Sequence, residues 1–151
     1  TVALDRPLSP QGYYWHSLPK RDGFPFLALC EHTNFVPRRH FNNQTIVYCG
    51  DYLDTAGPDF ALSNAELEAR YLGSLNRFNP AFDMSWVQGV WTHRDAYAQP
   101  VPLINHSRNI PATKTPLPGL FFASMSHVYP WDRGTNFAVQ LGRKVAKELM
   151  M

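Results

Sequence analysis

The chain has 151 residues, an apolar share of 44%, an aromatic share of 14% and a formal charge of +2. That length suits one ordinary domain able to bury a core, and so small a charge gives no reason to expect nucleic acid as a partner. No stretch approaches the roughly 18 to 20 apolar residues of a membrane-spanning helix, and no secretory leader pattern opens the chain.

The first residues, "TVALDRPL", begin without Met and read at once as a strand ending at Pro7. Such a beginning is expected of a cut inside a longer protein. "YYWHSLP" follows as an aromatic stretch. In "FPFLALCEHTNF" (Phe24 to Phe35), Phe26, Ala28 and Cys30 alternate with Leu27, Leu29 and Glu31. Apolar residues on both faces predict a central strand covered on both sides. "NNQ" then predicts a turn, and the β-branched, aromatic "TIVYCGDYL" (Thr45 to Leu53) a second strand, paired antiparallel with the first. Thirteen prolines spread through the connectors point to stiffened loops between short strands.

"SNAELEARYLGSLNRF" is the clearest helix. Ser63 and Glu66 have capping-box spacing, and Leu67, Tyr71, Leu75 and Phe78 share one face. Asn79-Pro80 ends it. "SWVQGVWTHRDAYAQPV" (Ser85 to Val101) predicts another strand, "NHSRNIPATKTPLPG" a loop and "LFFASMSHV" a short apolar strand. A final helix is expected from about Thr135 to Met150, with Phe137, Leu141, Val145 and Leu149 in one stripe and Arg143, Lys144 and Lys147 towards its C-terminal end, where positive charge suits the helix dipole. Together these elements predict an α+β fold: a mixed, largely antiparallel sheet with the helix Ala65 to Phe78 on one face, followed by a C-terminal strand and helix.

Chemistry is concentrated before the last helix. The first turn of a helix offers free N–H groups and a partial positive charge, and a glycine there lets a ligand approach the backbone. Gly134, Thr135 and Asn136 thus form a candidate phosphate seat, with Asp132 and Arg133 placed to orient a ligand or each other. The competing expectation is an ordinary helix start with Thr135 as its cap. Cys30 and Cys49 are too few for a disulfide framework and read as reduced core thiols of a cytoplasmic protein. Cys30 and His32 alternate on one strand, and two ligands do not make a metal site; neither cysteine sits at a helix start as an activated nucleophile would. The chain has no Gly-x-Gly-x-x-Gly and no phosphate-loop lysine motif. Arg38 to His40 reads as a solvated basic loop. The segment His93 to Pro100 reads equally as the wall of a cavity or as a polar sheet edge.

Taken together, "YYWHSLP", "FPFLALCEHTNF", "NNQTIVYCGDYL", "NPAFDMSWVQGVWTHRDAYAQPV" and above all "TPLPGLFFASMSHVYPWDRGTNFAVQLGRKVA" resemble the C-terminal part of flavin-dependent amine oxidase-like proteins, relatives of protoporphyrinogen oxidase and phytoene desaturase. The resemblance implies that residues 1–112 are like a substrate-binding domain and that residues 113–151 are the tail of an FAD-binding domain. It implies that Gly119, Leu120 and Phe121 form a strand, that Ser124 and Met125 lie beside the cofactor, and that Asp132, Arg133, Gly134, Thr135 and Asn136 lead the helix against FAD. The family often has Gly where this chain has Ser124. The glycine-rich Rossmann unit that supplies most FAD contacts in that family is not among these residues, so the chain alone is expected to hold FAD weakly or not at all. The implied parent passes hydride from a small apolar or amine substrate to the flavin. Arg94, Tyr97 and Gln99 are the residues expected to line the substrate cavity, and the implied partners are the missing N-terminal FAD domain and a possible second copy. The alternative is a non-catalytic domain that binds a ligand or a partner.

Overall fold

A computed structural model describes residues 1–132 and 134–150. The chain forms two compact units, Thr1–Arg94 and Asp95–Met151. The division falls after Arg94, upstream of the 112/113 boundary read from the sequence.

The fold is α+β. In the first unit five strands form one sheet: β1 (Val2–Leu4), β2 (Trp15–Ser17), β3 (Ala28–Glu31), β4 (Thr45–Gly50) and β5 (Val87–Val90). Their order is β2-β3-β4-β1-β5, and every pairing is antiparallel. Val2 and Leu4 stand opposite Val47 and Thr45 of β4 on one side and Val90 and Val87 of β5 on the other. Val2, Leu4 and Val47 make the core with Leu8, Phe26, Leu29, Leu72 and Leu75, and Val87 and Val90 pack against it. Each fully buried side chain of this kind contributes roughly 1.5–3 kcal/mol, so this face dominates the unit's packing energy.

Helices cover that face. α1 (Pro58–Ala61) starts with proline at its first turn, where no backbone donor is lost. α2 (Asn64–Leu72) opens on the expected capping box: Ser63 N–H donates to Glu66 Oε2 at 2.8 Å, and Glu66 N–H donates to Ser63 Oγ at 3.3 Å. A separate short helix, α3 (Leu75–Phe78), follows. The single helix expected from Ala65 to Phe78 is therefore broken at Gly73 and Ser74. Gly73 favours helix weakly, and the Ser74 hydroxyl donates to the Tyr71 carbonyl at 2.7 Å. Tyr71, Leu72, Leu75 and Phe78 still reach the core together.

The other sheet face is covered by residues 32–41. The His32 ring packs against Phe41 and Tyr48, and Ile46 N–H donates to Thr33 Oγ1 at 3.2 Å. Asn42 and Asn43 both take the left-handed conformation that makes the expected turn before β4.

The strands are shorter than the sequence suggests. Phe26 does not share a face with Cys30 but lies in the core with Leu29, because the chain bends after Pro25 and regular alternation starts only at Ala28. β4 ends at Gly50, short of Leu53. β5 covers four of the residues expected between Ser85 and Val101, because its partner β1 is only three residues long.

In the second unit, Lys114 and Phe121 form an isolated antiparallel bridge around a turn closed by Leu120 N–H to Leu117 O. The strand expected from Leu120 to Val128 does not form. Ser124 instead starts a tight 3-10 turn over Met125–His127. The last helix, α4 (Thr135–Leu149), runs as expected, with Phe137, Leu141 and Val145 half-buried. Thr113 Oγ1 donates to Glu148 Oε2 at 2.5 Å, which fixes the 113–121 segment to this helix. Among the described residues no helix is long and apolar enough to cross a membrane.

Candidate functional site

The start of α4 is built differently from the start of α2. Its capping residue is Gly134, not Thr135, and Gly134 has no side chain with which to close the first turn. The first helical bond runs from Ala138 N–H to Gly134 O at 3.0 Å, so the preceding amides face out of the helix end. Gly134 is extended, a conformation open to any residue. Its lack of a side chain lets Asn136 fold back against it: a Cβ there would lie 2.7 Å from Asn136 Oδ1, the mobile end of a side chain. Thr135 and Asn136 are exposed. The rings of Trp131 and Phe137 are stacked at 6.4 Å and 10° beside this turn, with Trp131 exposed. Asp132 is also exposed. Arg133 lies outside the described residues.

Ser124 belongs to a closed knot of polar groups, and Met125 follows it in the same 3-10 turn. Ser124 N–H donates to His127 Nδ1 at 3.2 Å, and the two serine hydroxyls of Ser124 and Ser126 are hydrogen-bonded. His106 Nε2 lies 3.0 Å from Ser126 O, and the His106 ring packs against Tyr129 at 5.6 Å. His127 Nε2 is buried with no hydrogen-bond partner among the described residues. The imidazole of His127 meets the backbone of Ser124, not its hydroxyl, so the arrangement is not a serine nucleophile with its base. No spacing rule flags His106 beside this turn, because it reaches Ser126 from 20 positions upstream.

The boundary between the two units falls within the segment that holds Arg94, Tyr97 and Gln99. Arg94 belongs to the first unit, where it donates to Phe60 O, to Leu62 O at 2.6 Å and to Asn64 Oδ1 at 2.8 Å, bracing the approach to α2. Tyr97 belongs to the second unit and is 91% exposed, its N–H held by Asp95 Oδ1 at 2.7 Å. Gln99, in the same unit, is half-buried.

Sequence reasoning missed the most deeply placed carboxylate. Glu31 is fully buried and accepts from Leu8 N–H at 3.1 Å and Ser9 N–H at 2.6 Å. Burial pushes its carboxyl above the usual range, against the opposing effect of those two hydrogen bonds. Its alternation with Leu29 is the available signal: a carboxylate on the apolar face of a strand must find donors. Cys30 and Cys49 are both free. They stand on neighbouring strands opposite Tyr48 and Leu29 respectively, and so point to opposite faces of the sheet. Burial pushes the Cys49 thiol up to about 12. Among the described residues no three His, Cys, Asp or Glu side chains converge as metal ligands.

Compared with family models, curated proteins and solved structures, the chain matches none.

Proposed function

We propose that this chain is part of an FAD-dependent oxidoreductase of the amine oxidase type, contributing a substrate-domain-like region and the terminal FAD-contacting segment, in a cytoplasmic protein. What carries the reading is the start of α4, a helix end capped by glycine, whose amides fit the diphosphate of a dinucleotide. Thr135 and Asn136 would hold that diphosphate through their backbone N–H groups, with the Asn136 side chain, which lies against Gly134, swinging aside to admit it. Ser124 and Met125 would border the ring system. Bound FAD supplies the hydride acceptor for oxidation of a C–N or C–C bond, and the protein's task is binding and enclosure. The helix dipole favours the anion at this end whatever the substrate.

The test uses the chain with its upstream coding sequence. The purified product is expected to absorb near about 450 nm, a property of the flavin itself. Gly134→Val should fold, because its Cβ displaces only the end of Asn136, yet lose flavin. A colourless complete product overturns the proposal.

A second reading, a non-catalytic domain that binds a partner, is favoured by one observation: Trp15 and Phe35 in the first unit are 57% and 76% exposed. A colourless complete product selects this reading.

A further inference from the structure

We propose that the first unit carries a binding site for small oxyanions, distinct from the flavin reading and independent of it. An open cleft of about 480 Å³ is lined by residues that include Lys20, Phe24, Asp51, Asp59, Arg70 and Arg77. That volume is within the roughly 300–1,000 Å³ of small-molecule sites.

The charges in the cleft are not balanced. Lys20 pairs with Asp51 at 2.9 Å, and the Asp51 side chain is only 3% exposed while that of Lys20 is 57% exposed. Arg70 pairs with Asp59. Arg77 has no such acid partner among the described residues. Its guanidinium donates to Gly23 O at 2.6 Å and to Asp22 O, and lies 4.8 Å over the Phe24 ring. Three cations against two carboxylates leave one positive charge, and it belongs to the arginine whose orientation is already set by neutral carbonyls.

That combination selects the ligand class. Arginine presents five N–H donors in a rigid fork that matches carboxylate and phosphate oxygens. Two of its nitrogens are engaged by carbonyls and leave donors over, and Lys20 and Arg70 likewise have more donors than their single ion pairs use. Fixing the fork beforehand lowers the entropy lost on binding. Gly23 is part of the device: at φ 73° it takes a left-handed conformation, and its carbonyl holds Arg77. The site would therefore receive a phosphate or carboxylate group.

The experiment titrates the whole chain with inorganic phosphate, with citrate and with chloride at matched ionic strength, following backbone amide NMR shifts. Saturable shifts at Gly23, Gly73 and Ser74 with phosphate or citrate, and not with chloride, are expected. The stronger of the two identifies the preferred oxyanion. Arg77→Lys, which retains the charge but loses the fork, should weaken binding about tenfold. Arg70→Gln removes a cation whose ion pair with Asp59 is exposed on both sides, leaves the Arg77 contacts in place and should also weaken binding, so the proposal stays testable if Arg77→Lys does not fold. Wild-type shifts that are linear, or the same with chloride, overturn the site, as does unchanged affinity in Arg70→Gln. No flavin enters the assay, so its failure leaves the oxidoreductase proposal untouched.

Discussion

The side-chain amide of Asn79 donates to the carbonyl of Leu8 at 2.6 Å, joining residues 71 positions apart. Asn79 is 7% exposed and Leu8 is fully buried. The same Asn79 accepts from Ala81 N–H through Oδ1 at 2.9 Å, so one side chain ends α3, turns the chain and fastens the segment after β1. Removing it leaves a buried carbonyl without a donor. Asn79→Ala should lower stability by about 2 kcal/mol, read as a lower urea midpoint with an unchanged slope. A variant as stable as the wild type would show that water replaces the amide.

Glu31 holds the same segment from the opposite side through Leu8 and Ser9 N–H. Its carboxyl is raised in the folded chain, first by burial and against the hydrogen bonds from Ser9, Leu8 and Asn34 and the nearby His16. The native state thus binds this proton more tightly than the unfolded chain does. Its contribution is fully present below the unfolded value of about 4.3 and is lost as pH rises through the higher native value. Glu31→Gln cannot ionise and lacks this dependence. The stability of the wild type relative to Glu31→Gln should therefore fall as pH rises across that window, measured by urea denaturation at a series of pH values. A relative stability that rises with pH would contradict it.

Cys49 sits on the core face of β4 with its thiol pushed up to about 12 by burial. The reactive species is the thiolate, so at neutral pH a thiol reagent should react with Cys49 only as fast as the chain opens. Labelling of Cys30→Ser, which leaves Cys49 as the sole cysteine, should accelerate steeply with urea. Rapid labelling without urea would be incompatible with this burial.

Gly73 tests two opposing effects. Alanine favours helix over glycine by about 1 kcal/mol, and Gly73 has helical angles. A Cβ there would, however, meet the Ala69 carbonyl at 2.9 Å, and that neighbour is backbone. We expect the contact to win, with Gly73→Ala losing about 1 kcal/mol net. Thermal unfolding decides the sign.

What the sequence makes legible is what short-range chemistry decides. Ser63 and Glu66 place the start of α2, because a capping box involves four consecutive positions. Asn42 and Asn43 announce their turn because asparagine tolerates the left-handed region. Other features depend on distant partners. The length of β5 is set by β1, at the opposite end of the unit's sequence. The partners of Arg94, namely Phe60, Leu62 and Asn64, lie 34, 32 and 30 positions upstream, out of reach of any local pattern. The apolar stretch Leu120 to Val128 signals a strand, yet Leu120 and Phe122 stay exposed and the Ser124 cap turns the chain instead. At α4 the helix was legible but its cap was not, since Thr135 is an equally good local candidate and only the backbone assigns Gly134.

Thr1 and Trp91 exchange a pair of hydrogen bonds, each at 2.9 Å, where β1 and β5 lie side by side. The two extremities of the first unit therefore meet at one point on its sheet. A unit closed in this way resembles a bead on a single loop: it can be spliced into a host polypeptide without parting the host's own neighbouring segments. Its folding then needs nothing from the host except that the two strands of the loop arrive together.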